Sequence, residues 1–197
     1  MIEDELLELD KKRINVLTNN QKLKSRIEEF YSCISNGNTG AEKIVFVDGN
    51  EEIKDYDKTN FYIQFIDNDS NKLNNINSYV YSKDNSEAIL DLLNSLYNKD
   101  NYISICASDL MHIMNNNTFN HYDYFINEQI TINNIFNEVK TNKSNILIYY
   151  CDEDKCDIES SIISELLKKR QNESWIYSLI VKNEYNHDRK LSIFVEK

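Results

Sequence analysis

The first residues with the types needed for phosphate chemistry lie in "NGNTGAEKIVFVDGN" (36–50), where Gly37 and Gly40 precede an apolar strand that ends in Asp48. A phosphate loop needs GxxxxGK[ST], whose backbone N–H groups cradle phosphates while Lys neutralises charge and Ser/Thr holds Mg²⁺. "GNTGAEK" has neither that spacing nor the Lys-Ser/Thr pair, and no helix separates it from the strand. A second candidate is Glu138-x-Lys140 with Asp123 upstream, the acid and lysine of a Mg²⁺-dependent nuclease. That chemistry needs a strand edge, whereas Ile132, Ile135, Phe136 and Val139 place the segment on a helix. Cys33, Cys106, Cys151 and Cys156 contain no C-x₂-C pair, and His112, His121 and His187 are scattered, so no metal site is expected. Cys106 and Cys151 read as small core residues of apolar strands.

Two further groups could bind rather than react. Lys168, Lys169 and Arg170 end a helix, where cations complement the helix dipole or contact DNA phosphates. Arg189 and Lys190 would extend such a DNA-binding strip. Trp175 and the aromatics of "FNHYDYF", among them Phe119, Tyr122 and Tyr124, are core residues or, as taken here, a partner interface.

These residues must be positioned by a chain of 197 residues, long enough for one domain with a sizeable core. Hydrophobic residues make up 41%, which indicates a globular chain; no proline and only three glycines argue against a long flexible linker. No apolar stretch reaches membrane-spanning length, and the acidic start "MIEDELLELDKKR" does not read as a signal peptide, so a soluble intracellular protein with reduced thiols is expected. The formal net charge of −11 means that DNA contact requires a local basic patch.

Residues 1–35 read as a helical segment. With Leu6 at a, the a and d positions through Ile34 are apolar at seven of nine sites, with Asn20 able to set register. One or two helices packed on the domain, or a short coiled coil, both satisfy this pattern; "INVLTNN" is also readable as a short strand. Strands are expected at 43–48, 61–67, 78–82, 102–106 and 145–151, and helices at 85–98, 108–114, 131–140 and along "DIESSIISELLKKRQ". "SWIYSLIVK" and "KLSIFVEK" close the chain as two strands joined by "NEYNHDR", which suits an antiparallel hairpin at the sheet edge. The order predicts an α/β sandwich around a mostly parallel sheet over 36–197.

Three stretches together resemble the core of a RecA-type recombinase: "EKIVFVDGNEEI", "YVYSKDNSEAILDLLNSLYNKDNYISICASDLMHIM" and the closing "SWIYSLIVKNEYNHDRKLSIFVEK". The resemblance implies a RecA-like three-layer sandwich. It departs from the family at the phosphate loop and at the Mg²⁺-site acid, whose place falls on Ala107, with Asp109 two residues on. The chain is therefore similar to the small recombinase-like subunits of the Shu complex, the chromosome-segregation-in-meiosis subunit and its platinum-sensitivity partner. That implies a non-catalytic nuclear subunit, without cofactor, that pairs with a second recombinase-like subunit. The pair would bind single-stranded or forked DNA during recombination, repair and meiosis. A coiled-coil-dimerised adaptor that binds only proteins is the alternative.

Overall fold

The computed structural model describes residues 14–31, 44–54, 56–97, 101–127, 129–139, 143–182 and 189–197. The order of elements is β1 (Ile14–Leu17), α1 (Gln21–Tyr31), β2 (Ile44–Asp48), β3 (Phe61–Ile66), β4 (Ser78–Tyr81), α2 (Asn85–Tyr97) and β5 (Asn101–Ile103). There follow α3 (Ala107–Met114), β6 (Thr118–Phe125), α4 (Ile132–Glu138), β7 (Ser144–Cys151), α5 (Cys156–Lys168), β8 (Ser174–Val181) and β9 (Lys190–Glu196). Both glycines of the opening loop lie outside the described residues, as do Cys33, Lys140 and His187.

The strands form one sheet in the order β1-β2-β3-β4-β6-β9-β7-β8-β5. All run parallel except β9, which is antiparallel to both β6 and β7, and β5, which is antiparallel to β8. Continuous apolar runs fit strands covered on both faces. On one face, α1, α2 and α3 bury Leu23, Ile89, Leu92, Leu93 and Leu110 against Phe46, Ile63, Phe65, Phe119, Ile148 and Phe194. On the other, α4 and α5 bury Ile135, Phe136 and Ile163 against Leu147, Tyr149, Leu179 and Ile193. The rest of that second face, Val45, Val47 and Tyr62, is covered by loop residues Ile53, Leu73 and Ile76. Gln64, fully buried, pins both loops: its amide donates to Gly49 O and Asn71 O, each at 2.6 Å, and its carbonyl accepts from Leu73 N–H at 2.9 Å.

The mostly parallel α/β sandwich expected from the pattern is present, with three corrections. The heptad run is interrupted, because Ile14–Leu17 is a strand paired in parallel register with Ile44–Val47. Leu23 and Ile27 then pack into the main core, so residues 14–31 belong to the same body as the rest and not to a separate helical segment. The closing strands are not a hairpin: β9 inserts between β6 and β7 while β8 pairs with β7 and β5. β9 is hydrogen-bonded along both sides, to β6 and to β7, so it is an interior strand and not an edge. Finally, "TFNHYDYF" is strand β6, and the expected strand at 102–106 is reduced to Asn101–Ile103, with Cys106 exposed as the N-cap of α3.

Candidate functional site

In open α/β sheets the ligand site is the crevice at the carboxyl ends of the strands. Here that end is shaped by strand length. β4 stops at Tyr81, opposite Asn120, while β6 continues to Phe125 with only β9 beside it. The step leaves a cavity of about 430 Å³ bounded by Asp67, Ser82, Asp84, His121, Asp123 and Tyr124. α2 starts just after β4, with Asp84 accepting from Glu87 N–H at its first turn. The acid that ends β2 faces the same end, but both its oxygens are occupied: Thr18 Oγ1 donates at 2.7 Å and Asn85 Nδ2 at 3.2 Å.

Beneath the cavity lies a buried ionic cluster. Asp91, on the sheet-facing side of α2, accepts from Tyr150 Oη at 2.6 Å and from Lys190 Nζ at 2.8 and 2.9 Å. Successive odd positions of β6 send His121 and Asp123 into the same space. His121 Nε2 lies 3.5 Å from Asp91, 3.4 Å from Asp123 and 2.9 Å from Ser192 Oγ, while Nδ1 meets Ser82 Oγ at 3.0 Å. Lys190 also approaches Asp123 at 3.5 Å and Glu87 at 3.6 Å, and Glu87 is paired with Arg26. Burial alone would raise the Asp91 carboxyl, but Lys190 and His121 hold it well below the usual range. Burial opposes charge on His121 too; its hydrogen bonds to the Asp123 and Asp91 carboxylates prevail and lift it to about 9. The Tyr150 hydroxyl is pushed well up by burial and by Asp91, which keeps it a donor.

Asp91, His121 and Asp123 bring their ligand atoms within 4.8 Å of one another, the spacing of a metal group. The Lys190 ammonium already stands among these carboxylates, so a cation could enter only by displacing it. The nuclease pattern is not assembled: Asp123 faces α2, whereas Glu138 ends α4 on the opposite face of the sheet.

A second cluster surrounds Asp152, in the turn between β7 and α5. Lys182 approaches Asp152 at 2.5 Å, Lys155 at 2.8 Å and Arg189 at 3.7 Å, and Lys155 and Lys182 hold its carboxyl down at about 2. Arg189 also pairs with Glu159, which accepts from Tyr149 Oη at 2.6 Å.

The DNA strip drawn from the sequence is thereby divided. Lys168 and Lys169 are exposed at the end of α5. Arg170 instead caps α4, donating to Val139 O at 2.7 Å and to Phe136 O, and pairs with Glu173 at 3.1 Å. Arg189 is held by Glu159 and Asp152, and Lys190 is buried on Asp91, so neither presents a free cation to phosphates. Of the interface candidates, Phe119 is fully buried in the core and cannot touch a partner. Trp175 is half-buried against Phe136 and donates to Glu173 at 2.8 Å. Tyr124 is half-buried on the α4 side, while Tyr122 remains exposed. Sequence reasoning missed Asp91, His121, Ser82 and Ser192. An acid inside the apolar run "AILDLLNSL", on a helix with one buried stripe, was the available signal.

No protein-family model matches the chain, and no curated protein does. Among solved structures, the empty FtsZ dimer from M. jannaschii has a TM-score of 0.54 at 9% identity, covering 89% of this chain and 68% of that one. At that identity the likeness concerns the fold alone. It fits the class defined here: a three-layer α/β protein with a mostly parallel sheet.

Proposed function

We propose that this chain acts by binding rather than by chemistry, as a subunit of a recombination complex whose main contacts are with another protein. The observation that carries this is the state of the strands' carboxyl ends. Where this fold class holds its reactive groups, Asp91, Asp123 and Glu87 are neutralised internally by Lys190, His121 and Arg26. The RecA-like assignment, the recombinase-like partner and the nuclear setting rest on the resemblance of 36–197. They are supported by the missing phosphate-loop residues and by a compatible α/β architecture. DNA contact narrows to Lys168 and Lys169, since Arg170, Arg189 and Lys190 have internal partners. That narrowing favours a second reading, in which the domain binds proteins only.

The test is to purify the chain with the candidate recombinase-like subunit and titrate fluorescent forked DNA at two salt concentrations. We expect a stable heterodimer whose salt-sensitive DNA binding weakens in Lys168→Ala/Lys169→Ala and not in Arg170→Lys. A heterodimer that ignores DNA selects the protein-only reading. Failure to form any heterodimer refutes the recombination assignment.

A further inference from the structure

We propose that Cys151 and Cys156 are a modification site: a dithiol that hydrogen peroxide converts to a reversible intramolecular disulfide. Cys151 ends β7 and Cys156 begins α5; the 3₁₀ turn Glu153–Lys155 folds the chain back between them. The two Sγ atoms lie 2.9 Å apart, so about 1 Å of further approach reaches a bond of ~2.05 Å. Their other partners are weak backbone acceptors, Asp152 O at 3.5 Å from Cys156 and Ile180 O at 3.7 Å from Cys151. Among the described residues no third His, Cys, Asp or Glu closes on the two sulfurs to make a metal group. The nearest acid by sequence, Asp152, is turned toward Lys155, Lys182 and Arg189. Two thiols so placed have each other as the available reaction partner.

Burial decides the oxidant. Cys151 is fully buried and Cys156 is 3% exposed, which excludes a bulky disulfide reagent and leaves a molecule the size of peroxide. Cys156, the more accessible, loses its proton and attacks one peroxide oxygen. The O–O bond breaks, hydroxide leaves to become water, and Cys156 becomes a sulfenic acid. The Cys151 sulfur then attacks the Cys156 sulfur; the expelled hydroxide departs as a second water with the Cys151 proton. Two thiols and one peroxide give one disulfide and two waters. The bond would tether the end of β7 to the first turn of α5, and so fix the turn that holds Asp152 against its three cations.

The experiment uses the full chain as Cys33→Ser/Cys106→Ser, which leaves only this pair, alongside the wild type. Native protein is exposed to hydrogen peroxide, then denatured and alkylated, and the peptide spanning 151–156 is weighed. We expect loss of two hydrogens, no alkylation, monomeric protein, and recovery of two alkylatable thiols after dithiothreitol. Cys151→Ser, treated with peroxide and then denatured in the presence of dimedone, should yield Cys156 as the dimedone adduct of its sulfenic acid. If that variant does not fold, the same peptide from wild type gives the answer. The proposal is overturned if both thiols are still alkylated once exposed Cys106 of wild type is fully oxidised. It is equally overturned if the pair goes to sulfinic acid with no disulfide.

Discussion

Replacing Lys190 by methionine removes the cation from the buried cluster while keeping most of the side chain's volume. Asp91 is 2% exposed and would keep only the Tyr150 hydroxyl at 2.6 Å and the His121 imidazole at 3.5 Å. Removing one partner of a buried ion pair costs about 3–5 kcal/mol, because the remaining charge is stranded away from water. Against a typical total of about 5–15 kcal/mol, that is a large share of the stability. With a urea slope of about 2 kcal/mol per molar, the unfolding midpoint should fall by roughly 2 M at pH 7. Burial would then govern the Asp91 carboxyl, pushing it upward, so the deficit should narrow as the pH is lowered and the acid becomes neutral. Asp91→Asn/Lys190→Met removes both charges and should recover at least about 2 kcal/mol relative to the sum of the single changes. The reasoning is refuted if Lys190→Met unfolds within about 1 kcal/mol of wild type, or if the two changes simply add.

Three further predictions test other parts of the same account. His121 titrates near 9 in the fold against about 6.5 unfolded, so its charged form contributes fully below about pH 6.5. Stability should therefore decline by on the order of 3 kcal/mol as pH rises through 9, and His121→Gln should flatten that slope in pH-dependent urea melts. Arg170→Ala uncaps α4 and should cost about 1–3 kcal/mol while leaving any DNA binding unchanged, measured by thermal melting beside the forked-DNA titration. Gln64→Leu leaves Gly49 O, Asn71 O and Leu73 N–H without their partner; about 2–4 kcal/mol is expected, with segments 49–54 and 67–77 losing hydrogen-exchange protection first.

What could be read from the sequence follows from which residues report their surroundings. The strand from Ile44 to Asp48 and the strand from Ser144 to Cys151 are legible because nearly every side chain is apolar and both faces are covered. α2 is legible because Ile89, Leu92, Leu93 and Leu96 fall on one stripe. β6 hides itself: its core-facing positions after Phe119 are His121 and Asp123, so the alternation that marks a half-buried strand is written in ionisable groups. β9 is recognisable as a strand, but its insertion between β6 and β7 depends on pairing with residues far away in the chain, from Tyr150↔Lys190 to Phe119↔Glu196, which local pattern does not encode. The basic residues failed for a related reason. In the first run Lys168 and Lys169 stay exposed while Arg170, past the end of α5, folds back onto α4; in the second, Arg189 meets Glu159 on one face of the sheet and Lys190 meets Asp91 on the other.

The buried cluster also separates two accounts of the carboxyl-end cavity. Perturbed ionisable groups in a cleft mark either a functional site or a structural ion-pair network, and here the pairing decides between them. Counted with His121 protonated, three acids here meet three cations, and the cavity floor formed by His121 and Asp123 is already balanced. The cluster then acts as an internal fastener joining α2, β6, β7 and β9, and its replacement by uncharged groups should be felt in stability alone. Asp91→Asn/Lys190→Met that folds and retains full affinity for the proposed recombinase-like subunit fits this structural role. The same variant, folded but unable to bind, would make the cluster part of the binding surface and add this cavity to the proposed contact at Lys168 and Lys169.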